Sequence, residues 1–134
     1  NLSHKINKEV TNWTTSQITK NIKKRSNILL VGMAYKKDID DTRESASIKI
    51  FSLLKKKKHK LSFYDQLVPK IFIKNKFYYS EKKLLPKMLA KFDCVVITTD
   101  HSKLNYKLIL KHSKKIIDTR GVYKNSKNSK VILS

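Results

Sequence analysis

The 134-residue sequence is poor in the residues that punctuate or cross-link a chain, with two glycines, two prolines and one cysteine. A lone thiol, Cys94, forms no internal disulfide and excludes a cysteine-rich metal site, so a reducing, cytoplasmic setting is expected. With glycine only at positions 32 and 121, no G-x-G-x-x-G segment exists. That absence excludes the close backbone approach to a pyrophosphate on which an ordinary dinucleotide site depends. Apolar runs are short, and none nears the ~18 residues that cross a bilayer, so no membrane partner is expected. The opening Asn1-Leu2-Ser3-His4-Lys5 has neither the apolar core nor the cleavage site of a signal peptide. Its start at Asn rather than Met reads as a fragment or a processed chain. Acid is scarce as well: 10 Asp and Glu stand against 31 Lys and Arg, a formal charge of +21.

Such an excess ordinarily points to nucleic acid or an anionic membrane surface. Here 28 of the basic residues are Lys and three are Arg, spread along the chain among Asn and Ile. Surfaces that read bases or grip phosphates favour the bidentate Arg fork. The pattern reads as a bias in residue usage, and no specific nucleic-acid partner is expected. Non-specific attraction to polyanions at low salt is expected, because counterion release needs only charge.

What is present suffices for one packed domain, since 40% of the residues are apolar. Residues up to about Lys24 read as a helix, with Ile6, Val10, Trp13 or Thr14, Ile18 and Ile22 near a spacing of four. Ile28-Leu29-Leu30-Val31-Gly32 reads as a buried parallel strand. Ser45 is placed to cap a helix whose apolar face is Ala46, Ile50, Leu53 and Leu54, and Lys55 to Lys58 suit its negative end. Leu61 to Tyr64, Phe77 to Tyr79, Cys94 to Thr98 and Lys115 to Asp118 read as strands, with Val131 to Leu133 as an edge strand. Helices are expected over 81–91, with Leu84, Leu85, Met88 and Leu89 on one side, and over 106–112. The alternation predicts an α/β fold, a doubly wound, mostly parallel Rossmann-like sheet preceded by an N-terminal helix.

In such sheets ligands bind beyond the carboxyl ends of the strands, near the reversal of strand order. The segments there are Gly32 to Lys37, Thr98-Thr99-Asp100-His101 and Asp118-Thr119-Arg120-Gly121. Lys36, His101 and Arg120 are expected in one crevice, suited to an anion such as a diphosphate. The alternative for Arg120 is a plain ion pair with Asp118 or Asp100. Asp65, at the end of the second strand, mimics a ribose-binding acid, but the glycines that would accompany it are missing. Cys94 lies inside an apolar strand and reads as a small hydrophobe, not a nucleophile. The four histidines have no metal-ligand spacing. Asp38, Asp40, Asp41 and Glu44 could hold Mg²⁺; helix capping and offset of nearby lysines is the favoured reading.

The loop from Gly32 to Ser45, GMAYKKDIDDTRES, resembles the G-x-A-[FY]-K and D-x-R-E-S signature of the UDP-glucose/GDP-mannose dehydrogenase family. Val95 to His101 and Ile116 to Tyr123 resemble segments of its UDP-N-acetylglucosamine 6-dehydrogenase branch. Asp65-Gln66-Leu67-Val68-Pro69 is similar to the family's D-P-x-V-P turn with its first proline lost. The resemblance implies that residues 1–25 end a helical central or linker domain. It makes 26–134 a C-terminal nucleotide-sugar (UDP) binding domain. It further implies that Tyr35, Lys36 and Arg120 hold the UDP-sugar, and that Arg43 reaches the NAD site. NAD itself would be bound mainly by a domain absent from this stretch, which also lacks the family's catalytic cysteine segment. The implied whole is a homo-oligomeric oxidoreductase that takes the sugar C6 alcohol to the acid for polysaccharide precursors. Ala46 stands where the family has proline, and Lys58-His59-Lys60 where it has glycine, which leaves a second expectation. This is a non-catalytic nucleotide- or polyanion-binding module, the remnant of such an enzyme.

Overall fold

A computed structural model describes residues 2–34, 37, 38, 40, 42 and 45–133, with the backbone alone for 2–8. In chain order the elements are α1 Leu2–Lys20, β1 Asn27–Val31, α2 Ala46–Lys56, β2 Lys60–Tyr64, β3 Lys70–Ile73 and β4 Lys76–Tyr79. They continue with α3 Pro86–Lys91, β5 Cys94–Ile97, α4 Tyr106–His112, β6 Ile116–Asp118 and β7 Val131–Leu133. Five strands form one sheet in the order β2-β1-β5-β6-β7, every pair parallel. The doubly wound α/β fold and its leading helix are those the sequence pattern predicts. No described helix is long and apolar enough to cross a membrane.

The central strands are buried on both faces, which is why they read as unbroken apolar runs. Ile28, Leu30, Cys94, Val96 and Ile117 pack with Ile18 of α1 and with Ile50, Phe51 and Leu54 of α2. Leu29, Val31, Val95, Ile97 and Ile116 face the opposite way, onto Leu89 of α3 and Ile109 of α4. The pleat thus divides one apolar strand between two cores.

Three elements differ from the sequence reading. First, α1 ends at Lys20, and among its described side chains the buried ones are Thr11, Thr14, Thr15 and Ile18; Val10 and Trp13 remain 53% and 55% exposed. Thr15 Oγ1 donates to the Thr11 carbonyl at 2.9 Å, and Thr19 Oγ1 to that of Thr15 at 2.9 Å. A hydroxyl satisfied on its own helix leaves only a methyl to pack, so threonines serve as the inner face. Second, the inner face of α2 is rotated to Ser47, Ile50, Phe51 and Leu54. The Phe51 ring accounts for this, meeting Phe63 at 6.2 Å and Tyr78 at 5.3 Å, both edge-on. Third, α3 begins at Pro86 and not at Glu81. Proline pushes the preceding residue out of helical geometry and is itself well placed at the first helical position.

The strand anticipated over 77–79 is half of an antiparallel hairpin whose other half, β3, the sequence reading missed. Lys74 and Asn75 turn it with φ of 48° and 65°, the two positive angles a tight hairpin turn needs. Ile71, Ile73 and Tyr78 face the core beside α2.

Candidate functional site

The order of strands reverses beside β1: β2 lies on one side, and β5, β6 and β7 follow on the other. The segments after β1, β5 and β6 therefore meet at one end of the sheet. Gly32 makes the first of these turns with φ +100°, donating its N–H to the Tyr64 carbonyl at 2.8 Å. Thr98 Oγ1 donates to the carbonyls of Gly32 at 2.6 Å and Val31 at 3.1 Å. Thr99 Oγ1 donates to the Ala34 carbonyl at 2.9 Å, and Ser45 Oγ to that of Met33 at 2.8 Å. Ser45 stands at the N-cap position of α2 as expected, but its hydroxyl serves this turn and not the helix.

Beneath these turns lies a buried polar knot. Asp65 Oδ2 accepts the N–H groups of Met33 at 2.7 Å and Ala34 at 3.2 Å, and Oδ1 accepts that of Leu67 at 2.8 Å. His101, fully buried, sets Nε2 2.9 Å from Asp65 Oδ2, while its Nδ1 accepts the Asp38 N–H at 2.7 Å. The bond at Nδ1 places the ring proton on Nε2, from which it is donated to Asp65. Asp38 in turn accepts the Ser102 N–H at 2.7 Å and its hydroxyl at 2.6 Å. The Ser102 hydroxyl and N–H, in that order, hold the Asp38 carboxyl below its ordinary range.

The structure settles the readings of Asp65, His101 and Asp38. Asp65 is not a free ribose-binding acid, because its oxygens are spent on the protein's own N–H groups. In a dinucleotide-binding sheet the N–H groups after the first strand face a pyrophosphate; here an internal carboxylate fills that role. His101 does not point into the crevice either, since both ring nitrogens are committed to Asp65 and Asp38. Asp38 belongs to this cross-link and does not cap α2.

Arg120 follows β6 on a turn fixed by Asp118. The Asp118 carboxylate accepts the N–H of Arg120 at 3.0 Å and of Tyr123 at 2.7 Å. Arg120 Nε donates to the Thr98 carbonyl at 3.0 Å, which fixes the plane of the guanidinium. The side chain is exposed, and neither Nη has a partner among the described residues. The ion pair with Asp118 or Asp100 weighed from sequence is therefore not formed: Asp118 takes the backbone instead. Tyr123 Oη donates to the Tyr106 carbonyl and Tyr106 Oη to that of His101, at 2.7 and 2.8 Å. Burial first, then nearby carboxylates including Asp118, raise both phenols far above their ordinary range, so they act as fixed donors.

Tyr35, Lys36 and Arg43, together with Asp41 and Glu44, lie outside the described residues. Among those described, Arg120 is the expected binding residue that the structure sets at the rim. Sequence reasoning missed the hydroxyls of Thr98 and Thr99 and the anchoring by Asp65. A polar run directly after a buried strand, Thr98-Thr99-Asp100-His101, was the available signal.

Cys94 is buried in β5, and desolvation foremost pushes its thiol up to about 12. At pH 8 roughly one molecule in 10⁴ would carry the thiolate. Folded protein is expected to resist iodoacetamide at pH 8 for hours and to react within minutes in urea. Rapid labelling without denaturant would contradict this burial. Among the described residues no group of three or more His, Cys, Asp or Glu is arranged to hold a metal.

Comparison with known proteins bears on the domain as a whole and its fold. The family model for the UDP-glucose/GDP-mannose dehydrogenase family, UDP binding domain, matches residues 29–125. A UDP-N-acetyl-D-mannosamine dehydrogenase of Methanococcus vannielii is 30% identical over 102 residues, 76% of this chain and 22% of that protein. The UDP-N-acetyl-mannosamine dehydrogenase structure from Staphylococcus aureus is 28% identical, with a TM-score of 0.62 over 95% of this chain and 29% of its own. A GDP-mannose dehydrogenase from Pseudomonas aeruginosa, at 20% identity, shares the fold with a TM-score of 0.71 over 92% of this chain and 30% of its own. The chain thus spans between a fifth and a third of these relatives.

Proposed function

The chain belongs to the UDP-glucose/GDP-mannose dehydrogenase family as a UDP-binding domain, and from that premise we propose that it grips the nucleotide of a UDP-sugar while other domains oxidise the sugar. The reaction is the NAD-dependent conversion of the C6 alcohol to a carboxylate, a step toward polysaccharide precursors. In this reading Tyr35 and Lys36 join Arg120 around the UDP-sugar, and Arg43 reaches toward NAD held mainly by a preceding domain. Residues 1–25 end the helical segment that links the two, and the whole enzyme is a homo-oligomer. The relatives named for UDP-N-acetylmannosamine favour a UDP-linked N-acetylhexosamine over UDP-glucose.

The observation that carries the reading is Arg120. Its Nε is tied to the Thr98 carbonyl, which leaves the two Nη groups as a planar fork beside the switch point of the sheet. Such a fork suits two oxygens of a diphosphate, where a lysine supplies charge without direction.

Calorimetric titration with UDP tests it. Charge-assisted bonds of this kind contribute about 1.5–3 kcal/mol. Arg120→Ala should therefore weaken UDP binding about tenfold to a hundredfold. Arg120→Lys should restore part of the loss, and Lys87→Ala on α3 should change little. If all three lose the same affinity, and the loss vanishes at high salt, UDP is held only by the diffuse field of a +21 surface and the reading fails.

A further inference from the structure

At the other end of the sheet, where β1 and β2 begin, the ends of α1 and α2 enclose a second recess. It is a cavity of about 520 Å³ whose lining includes Lys23, Lys24, Arg25, Lys57, Lys58 and His59, and no acid. A neighbouring cleft shares Lys23 to Arg25 and adds Asp93 and Lys115, but both of those are engaged elsewhere. Asp93 accepts the Asn27 N–H at 2.7 Å, and Lys115 Nζ donates to the Asn21 carbonyl at 2.6 Å.

Helix ends alone do not account for five cations here. Each helix C-terminus presents about half a negative charge, roughly one in all for the pair. Lys115 already serves the α1 end, so an excess of about four positive charges is left on the exposed side chains that line the cavity. Two of the cations also stand in strained backbone. Arg25 has φ 57° and Lys58 has φ 71°, positions where a turn chosen for shape alone takes glycine or asparagine.

His59 supplies an independent sign. It is 7% exposed, and its Nδ1 accepts the Ser26 N–H at 3.0 Å. The ring proton therefore sits on Nε2, and that N–H has no partner among the described residues. Burial, then the charge of Lys57, lowers its pKa and keeps the ring neutral. A neutral donor without a protein partner, on a ring only 7% exposed and beside a lining rich in lysine and arginine, is an arrangement that receives anionic oxygens.

We propose that this recess binds a compact oligophosphate, whose oxygens meet His59 Nε2–H and the cations of the two facing turns. Its volume suits a small ligand and not a duplex or a protein surface. Five strand residues separate it from the carboxyl ends of the sheet, about 16 Å at ~3.3 Å each. It is therefore distinct from the rim that carries Arg120.

Calorimetry with inorganic tripolyphosphate tests the proposal, with ATP as a second arm that asks whether the phosphate chain alone is recognised. Both should bind with one saturable equivalent. The triple variant Arg25→Gln, Lys57→Gln, Lys58→Gln should weaken tripolyphosphate by about tenfold or more, with loss of several charge-assisted bonds. Lys82→Gln, Lys83→Gln, Lys87→Gln removes equal charge elsewhere and should change affinity less than about threefold, as expected of screened distant charge. His59→Asn keeps an acceptor for the Ser26 N–H but deletes the Nε2 donor, and should weaken binding severalfold; it also serves if the cleft triple folds poorly. Equal losses in the two triples would overturn the proposal, as would binding without saturation. Binding of ATP but not tripolyphosphate, or loss of tripolyphosphate binding in Arg120→Ala, would do the same.

Discussion

Gly32→Ala is expected to lower the unfolding free energy by about 2–5 kcal/mol, from two costs that add. The first is conformational: φ is +100°, a region in which an L side chain costs about 1–2 kcal/mol. The second is steric, because a Cβ on Gly32 would overlap Thr99, lying 2.5 Å from its nitrogen and 2.6 Å from its oxygen. The obstacle is backbone at the end of a central strand, which cannot swing aside as a flexible side chain does. Forcing extra volume into packed structure costs about 1–3 kcal/mol. Gly121 separates the terms. Its φ is +73°, yet an added Cβ would meet only Lys124 Cδ at 3.8 Å, so Gly121→Ala should cost the conformational part alone. Urea titrations with unchanged slope measure both. Equal midpoint shifts for the two variants would show that the approach of the β1 and β5 turns is not what requires glycine at position 32.

The same two turns show what the sequence makes legible. β1, β5 and β6 are recognisable because strands buried on both faces must be apolar throughout, and the site follows from where those strands end. Arg120 stands out as one of three arginines in a lysine-rich chain, at a strand end. Features that depend on partners distant in sequence are not legible. Nothing near Asp65 announces that its oxygens bind the backbone 31 and 32 residues earlier and a histidine 36 residues later. The inward threonines of α1 are hidden for a related reason, since their burial depends on hydroxyls returned to the helix's own carbonyls. β3 escapes because its exposed face, Lys70 and Phe72, and its buried Ile71 give too short an alternation to separate from loop.

Asp65→Ala should cost about 3–5 kcal/mol, since it strands several buried donors at once. The carboxylate is 2% exposed and accepts four N–H groups, from Met33, Ala34, Leu67 and His101. Asp65→Asn should cost less but not little. One end of the amide is NH₂, and donors approach both ends of the Asp65 side chain, so either orientation sets donor against donor. His101→Ala should add little once Asp65 is gone, because the two share one bond network, and a double-mutant cycle reads that coupling directly. The effect should reach binding as well as stability. Met33 and Ala34, whose N–H groups Asp65 fixes, lead straight into Tyr35 and Lys36, the residues we propose to meet the nucleotide. Under conditions where Asp65→Asn remains folded, UDP affinity should fall even though residue 65 has no free oxygen to offer a ligand. Thermal unfolding and UDP titration on the same samples provide the check. If Asp65→Asn loses stability but binds UDP as the parent does, the knot supports the fold alone and the turn after β1 needs no anchor to work.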